Sequence, residues 1–73
     1  VKLDKFKATK LFEKSCDGKA SNGCNSLGFI YEFESGVRLN KSKALEYYAK
    51  ACNLKSNLGC ENYARLKNKV SIN

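Results

Sequence analysis

The chain lacks proline, histidine, methionine and tryptophan altogether. Imidazole is the usual general base near neutral pH and, beside thiolate, the commonest zinc ligand, so a histidine-dependent enzyme is excluded. No apolar run approaches the roughly 20 residues that span a bilayer, so no membrane-crossing helix is expected. Neither a Gly-x-Gly-x-x-Gly stretch nor a phosphate loop occurs. What is present is ordinary for a globular chain, with 42% hydrophobic and 29% charged residues, which argues against intrinsic disorder. A length of 73 residues allows one small domain or a slice of a larger protein. Such a chain rarely builds a sufficient core without staples.

Charge is distributed unevenly. Residues 1–36 hold six lysines and five acids, whereas residues 37–73 hold eight basic and two acidic residues, so the second half carries most of the net +7. A surface of this kind attracts acidic proteins, anionic head groups, cell-wall polymers or nucleic acid, with strong salt dependence. The simpler reading is a lysine-rich solvated face. Val1 is not an initiator methionine and no signal peptide precedes it, so the chain reads as processed or cut from something longer.

The informative operation is to slide the sequence on itself by 36 residues. Ten positions of residues 1–31 then match 37–67 identically, among them Ala8/Ala44, Lys7/Lys43, Lys14/Lys50, Cys16/Cys52, Lys19/Lys55, Gly23/Gly59 and Cys24/Cys60. All four cysteines fall in register, so two related units are present, 1–36 and 37–73. Val1, Leu3 and Lys5 match Val37, Leu39 and Lys41 and read as the end of a preceding unit.

Within each unit the apolar period is helical. Ala8, Leu11, Phe12, Ser15 and Cys16 recur at i, i+3, i+4, i+7 and i+8, and Ala44, Tyr47, Tyr48, Ala51 and Cys52 repeat the spacing. Asp4 and Asn40 are placed to cap these first helices. A second stripe, Cys24, Leu27, Gly28 and Tyr31, is echoed by Cys60, Tyr63 and Ala64. The breaks Asp17-Gly18-Lys19 and Asn53-Leu54-Lys55 are so short that the two helices of a unit must run antiparallel. Ser35-Gly36-Val37 joins the units. The small residues Ala8, Ala44, Gly23, Gly59, Gly28 and Ala64 let helices approach closely, with Phe12, Tyr31, Tyr47 and Tyr48 filling the spaces beside them. Neither pair can bury its faces alone, so stacking is the expected source of stability.

The run Gly23-Cys24-Asn25-Ser26-Leu27-Gly28-Phe29-Ile30-Tyr31, then Gly36-Val37, Lys43-Ala44 and Tyr47-Tyr48-Ala49-Lys50-Ala51-Cys52, resembles the Sel1-like repeat. The resemblance is closest to its cysteine-rich branch, the Helicobacter cysteine-rich proteins. It implies an all-α, α/α superhelix of antiparallel helix pairs related to tetratricopeptide repeats, with one disulfide per repeat, and secretion from a bacterial cell. For some members it also implies penicillin binding with weak β-lactamase activity. The second unit departs from the pattern, with Tyr63-Ala64-Arg65-Leu66-Lys67 in place of Leu27-Gly28-Phe29-Ile30-Tyr31. Arg65, Lys67 and the polar tail of residues 68–73 therefore read as a solvent-facing cap at the natural end of an array, with further repeats upstream.

Seven residues separate the cysteines of each pair, which puts one thiol in the last turn of a first helix and the other in the first turn of its partner. Antiparallel neighbours bring these points together, so Cys16 is expected to pair with Cys24 and Cys52 with Cys60, the connectivity that respects the repeat. Each closed loop contributes about 2.6 kcal/mol by chain entropy, and two approach the whole stability of a small domain. An oxidising compartment, secreted or periplasmic, follows. The alternatives are free buried thiols in a cytosolic protein or a tetrathiolate zinc site. The spacing disfavours zinc, whose thiols usually sit two to four residues apart on a knuckle. Without Cys-x-x-Cys, redox catalysis is weaker still.

Chemistry for lactam hydrolysis is missing. None of the seven serines has a lysine three positions on, as a serine nucleophile of that class requires. A zinc-dependent route lacks histidine. Glu32 and Glu34, two residues apart, lie on different helix faces and make no carboxylate pair.

No catalytic residue, cofactor or metal is expected, and the reading is a protein- or peptide-binding scaffold. Its candidate partner-binding residues are Tyr47, Tyr48, Lys43 and Lys50, with the lysines drawing an acidic partner. Phe12 and Tyr31 read as core residues of their stripes. Tyr47 and Tyr48, about 100° apart around one helix, cannot both be equally buried. Rival readings are a weak β-lactamase or penicillin-binding protein, and anion or cell-wall binding by the C-terminal half through Lys67 and Lys69. A nucleic-acid partner is disfavoured.

Overall fold

A computed structural model describes residues 5–33 and 40–71, with side chains over 7–33 and 40–69. The cap expected at Asp4, the linker Ser35-Gly36-Val37 and the upstream remnant at residues 1–3 lie outside the described residues. Four helices follow one another: α1 (Lys5–Asp17), α2 (Ser21–Phe33), α3 (Lys41–Asn53) and α4 (Asn57–Ser71). The fold is all-α, an antiparallel pair α1/α2 stacked on a second pair α3/α4, with α3 seated between α2 and α4.

Both breaks end their first helix in the same way. In the first unit Lys19 N–H donates to the Cys16 carbonyl and Ala20 N–H to the Ser15 carbonyl, and in the second Lys55 N–H donates to Cys52 and Ser56 N–H to Ala51. This is the double bond pattern of a Schellman stop, which needs one left-handed residue. Lysine takes that position in both units, Lys19 at φ 69° and Lys55 at φ 70°. The chain is thereby folded back within three residues, and each disulfide closes across the turn. Cys16–Cys24 has a Cα separation of 4.6 Å and Cys52–Cys60 one of 4.5 Å. No described cysteine is free.

Side chains start the second unit's helices. Asn40 Oδ1 accepts from Lys43 N–H at 2.9 Å, the capping role its position suggests. Ser56 Oγ accepts from Gly59 N–H at 3.1 Å and also from Asn25 Nδ2 of α2 at 3.0 Å, so one hydroxyl caps α4 and ties it to the preceding unit. The backbone adds a further tie, Asn40 N–H to the Tyr31 carbonyl at 2.9 Å.

The core forms two clusters. Cys16, Cys24, Leu27 and Ala51 make the first, with Phe12, Tyr31, Tyr47 and Leu54 packed around it. Ala44, Tyr48 and Leu66 make the second, with Tyr31, Leu45 and Tyr63 around it. Tyr31 belongs to both, and burial of Leu27, Tyr48 and Leu66 contributes about 1.5–3 kcal/mol each. Glycine permits the close approaches. A Cβ on Gly28 would stand 2.5 Å from the Tyr48 ring, and one on Gly23 or on its equivalent Gly59 would meet the facing helix backbone at 2.8 Å.

Three expectations need correction. Leu11, assigned to the α1 stripe, is 65% exposed, because α1 packs on α2 and no described helix covers its other side, whereas the equivalent Tyr47 on α3 meets Tyr31 of α2. In the last helix the expected stripe holds only in part, with Cys60 and Tyr63 half-buried and Tyr63 packed on the second cluster. Ala64 is exposed and Leu66 is buried instead, because α4 packs back on α3 through Leu66 and nothing among the described residues lies beyond it. Finally, residues 68–71, read as a polar tail, continue α4 as helix.

Candidate functional site

The four candidate binding residues separate into two environments, as their angular spacing on α3 requires. Tyr48 is fully enclosed. Its ring covers Gly28, and its hydroxyl donates to Glu32 Oε1 at 2.8 Å. Burial, and then the Glu32 carboxylate, push its phenol well above the ordinary 10.0. Tyr48 is therefore a core residue, and its assignment as a partner-binding residue is corrected by its position under α2 and α4.

Tyr47, Lys43 and Lys50 do come together, with Tyr31 as a fourth member that sequence reasoning placed in the core. Lys43 Nζ lies 5.2 Å from the Tyr31 ring centre, Tyr31 and Tyr47 stack at 5.8 Å with 8° between their planes, and Lys50 Nζ lies 5.3 Å from the Tyr47 ring centre. The result is a ladder of ammonium, ring, ring and ammonium spanning α2 and α3. Cation–π attraction holds each lysine over its ring, at about 0.5–1 kcal/mol per pair at an exposed site. Both lysines are exposed and both rings half-buried. Tyr47 is raised above 10.0, by burial first and then by the nearby carboxylates of Glu13, Glu46 and Asp17. Beside the ladder, Cys16, Asp17, Lys19, Lys50, Asn53 and Leu54 line a recess of about 300 Å³ where the two turns meet. This surface offers flat rings, fixed cations and a notch, which are means of gripping a chain.

A second polar cluster was not legible in the sequence. Glu32, considered in the sequence only as half of a carboxylate pair with Glu34, is buried, and it accepts from Tyr48 and from both terminal nitrogens of Arg65, the latter at 2.7 and 2.8 Å. The Arg65 guanidinium holds the Glu32 carboxyl below its ordinary 4.5 against the opposing effect of burial, with the Tyr48 hydroxyl assisting. Arg65, read as a solvent-facing cap, instead folds back across the joint between units. One clue was available, since Glu32 follows Gly28 by four positions on the buried stripe. Asn25, 8% exposed, has an Oδ1 without a hydrogen-bond partner while its Nδ2 reaches Ser56.

Among the described residues no group of three or more cysteine or acidic side chains is placed to hold a metal ion. No described helix is long and apolar enough to cross a membrane.

Comparison with known proteins gives one match. The Sel1 repeat matches residues 1–19 and 21–56, so that one matched segment covers α1 and the other runs from α2 to just past α3. No curated protein and no solved structure matches the chain. On helix pairs that repeat in sequence and in geometry, and with this match over most of its length, the chain belongs to the Sel1 repeat family.

Proposed function

We propose that the chain is a non-catalytic scaffold that binds a protein or peptide through the exposed ladder of Lys43, Tyr31, Tyr47 and Lys50. The observation that carries this reading is the ladder itself, in which two exposed ammonium groups are fixed over two stacked, half-buried rings. Rings held flat by packing offer contact area at little entropic cost, and fixed cations select carboxylates. An acidic peptide segment is the partner this chemistry suits. Two disulfides in so small a chain support a secreted or periplasmic location, in keeping with the cysteine-rich branch it resembles.

The test is capture of partners from the matching extracytoplasmic fraction on the immobilised, oxidised chain, followed by Lys43→Glu and Lys50→Glu. Loss of the captured partner with either reversal supports the ladder, and retention through both removes it. Turnover of a chromogenic cephalosporin, lost on substitution of one residue, would replace the scaffold reading with the enzymatic one.

A further inference from the structure

A second surface lies along the seam where α2 meets α4. Phe29 is 55% exposed and Leu58 57% exposed, and together with Ile30, Asn25 and Asn62 they line a recess of about 420 Å³. One end of this groove is built by a chain of contacts. The Phe29 and Phe33 rings meet at 4.8 Å, the Arg65 guanidinium lies 5.6 Å from the Phe33 ring centre, and Arg65 reaches back to Asn62 at 3.4 Å. Lys69 lies one helical turn beyond Arg65 on the same side of α4 and is exposed. The groove is thus mainly apolar, with Asn25, Ser26 and Asn62 in its lining, and since Arg65 is paired with Glu32 its cationic end is supplied by Lys69.

Repeat stacking does not account for it. The contact of α3 on α2 falls on Leu27, Gly28 and Tyr31, and the 36-residue offset carries that footprint to Tyr63, Ala64 and Lys67 on α4. A further unit docked there would leave Leu58 and Asn62 uncovered. A second copy of the chain is opposed by charge, since each carries +7 and α4 brings Arg65, Lys67 and Lys69 against a single acid, Glu61. We infer that this groove is a docking site for an acidic amphipathic helix of another protein, its apolar side chains between Phe29 and Leu58 and its carboxylates toward Lys69. The geometry is that of a helix laid in a groove, where a few apolar anchors carry most of the affinity and the charged rim sets orientation and rate.

The probe is a labelled amphipathic peptide with leucine at helical spacing and glutamate between, followed by fluorescence anisotropy on the oxidised chain. A matched peptide with lysine for glutamate is the comparison. Leu58→Gln and Phe29→Gln are each expected to weaken binding of the glutamate peptide at least about tenfold, and Lys69→Glu to weaken it as well. Lys50→Glu, on the ladder, is expected to remove any share of the glutamate peptide held there and to leave the share that Leu58→Gln and Phe29→Gln weaken, which separates the groove from the proposed function. Amide shifts in the unmutated chain, centred on Phe29 and Leu58 and reaching Phe12 of α1, which also lines the recess, support the site without any variant. Full affinity in both glutamine variants, equal binding of the lysine peptide, or shifts that spare Phe29 and Leu58 would overturn it. So would a concentration-dependent dimer, or binding to anionic phosphatidylglycerol vesicles, that Leu58→Gln abolishes, because a second copy or a lipid surface would then be the occupant.

Discussion

Glu32 of α2 and Arg65 of α4 meet through two contacts, Nη1 to Oε2 at 2.7 Å and Nη2 to Oε1 at 2.8 Å, which cross from one repeat unit to the next. The carboxylate is almost wholly enclosed and the guanidinium only partly so. Removing the arginine would strand a buried charge, whereas removing both partners would not. Arg65→Met is therefore expected to cost about 3 kcal/mol in chemical denaturation, and the double variant Glu32→Gln/Arg65→Met distinctly less than the sum of its parts. Additive losses, or a loss for Arg65→Met below about 1 kcal/mol as for a surface pair, would show that the pair is not coupled.

Acid should act through the same group. The folded-state carboxyl of Glu32 is depressed below its ordinary 4.5, so its contribution is fully present above that value and is lost as pH falls through the depressed one. Melting temperature is expected to hold down to near pH 4.5 and to decline below it, with Glu32→Gln flattening the decline at the cost of stability at neutral pH. An unchanged acid limb in that variant would assign the decline to other carboxyls.

Gly28 and Gly18 offer a paired test of the helix joint. A methyl group on Gly28 collides with the Tyr48 ring, while one on Gly18 finds its nearest neighbour at 3.4 Å. Alanine normally stabilises a helix interior relative to glycine by up to about 1 kcal/mol, so a loss at Gly28→Ala, of about 1–3 kcal/mol, reverses the usual sign. Gly18→Ala is expected to stay within about 0.5 kcal/mol. Equal effects at the two sites would mean that Tyr48 moves aside freely.

The left-handed lysines make the opposite prediction. Lys19 and Lys55 occupy a conformation that costs an ordinary residue about 1–2 kcal/mol. Lys55→Gly is expected to raise stability by about 0.5–1 kcal/mol after the extra entropy of glycine in the unfolded chain is set against the relief. Destabilisation would argue that the Lys55 side chain makes compensating contacts.

Much of the fold was legible because the period of 36 residues keeps cysteines, small residues and turn lengths in phase, and each of these has one simple structural consequence. The pairing of Cys16 with Cys24 follows from a short turn between two helices, which is a local matter. Leu11 and Ala64 were misplaced because burial of a stripe depends on which neighbour lies beside it, and two units have unlike ends. Arg65 was misread for a related reason. Repeat alignment compares it with Phe29, whereas its partner Glu32 is 33 residues away and off the period. Gly18 sits next to the left-handed position and is the residue a turn would favour there, yet Lys19 takes it. Of the candidate site, Lys43, Tyr47 and Lys50 were readable from their spacing on one helix. That Tyr31 stacks on Tyr47 depends on how α2 and α3 are packed, which no local pattern encodes.

The central claim is that each helix pair is closed by its own disulfide and that the two closed pairs stack. Trypsin tests it directly on unreduced protein, because Lys19 and Lys55 lie inside the two loops. Cleavage is expected to release residues 15–19 linked to 20–38 and residues 51–55 linked to 56–65, each separating into its halves on reduction. Fragment 15–19 linked to 51–55 or 56–65, or all four fragments recovered with free thiols, would contradict the architecture and the oxidising compartment together.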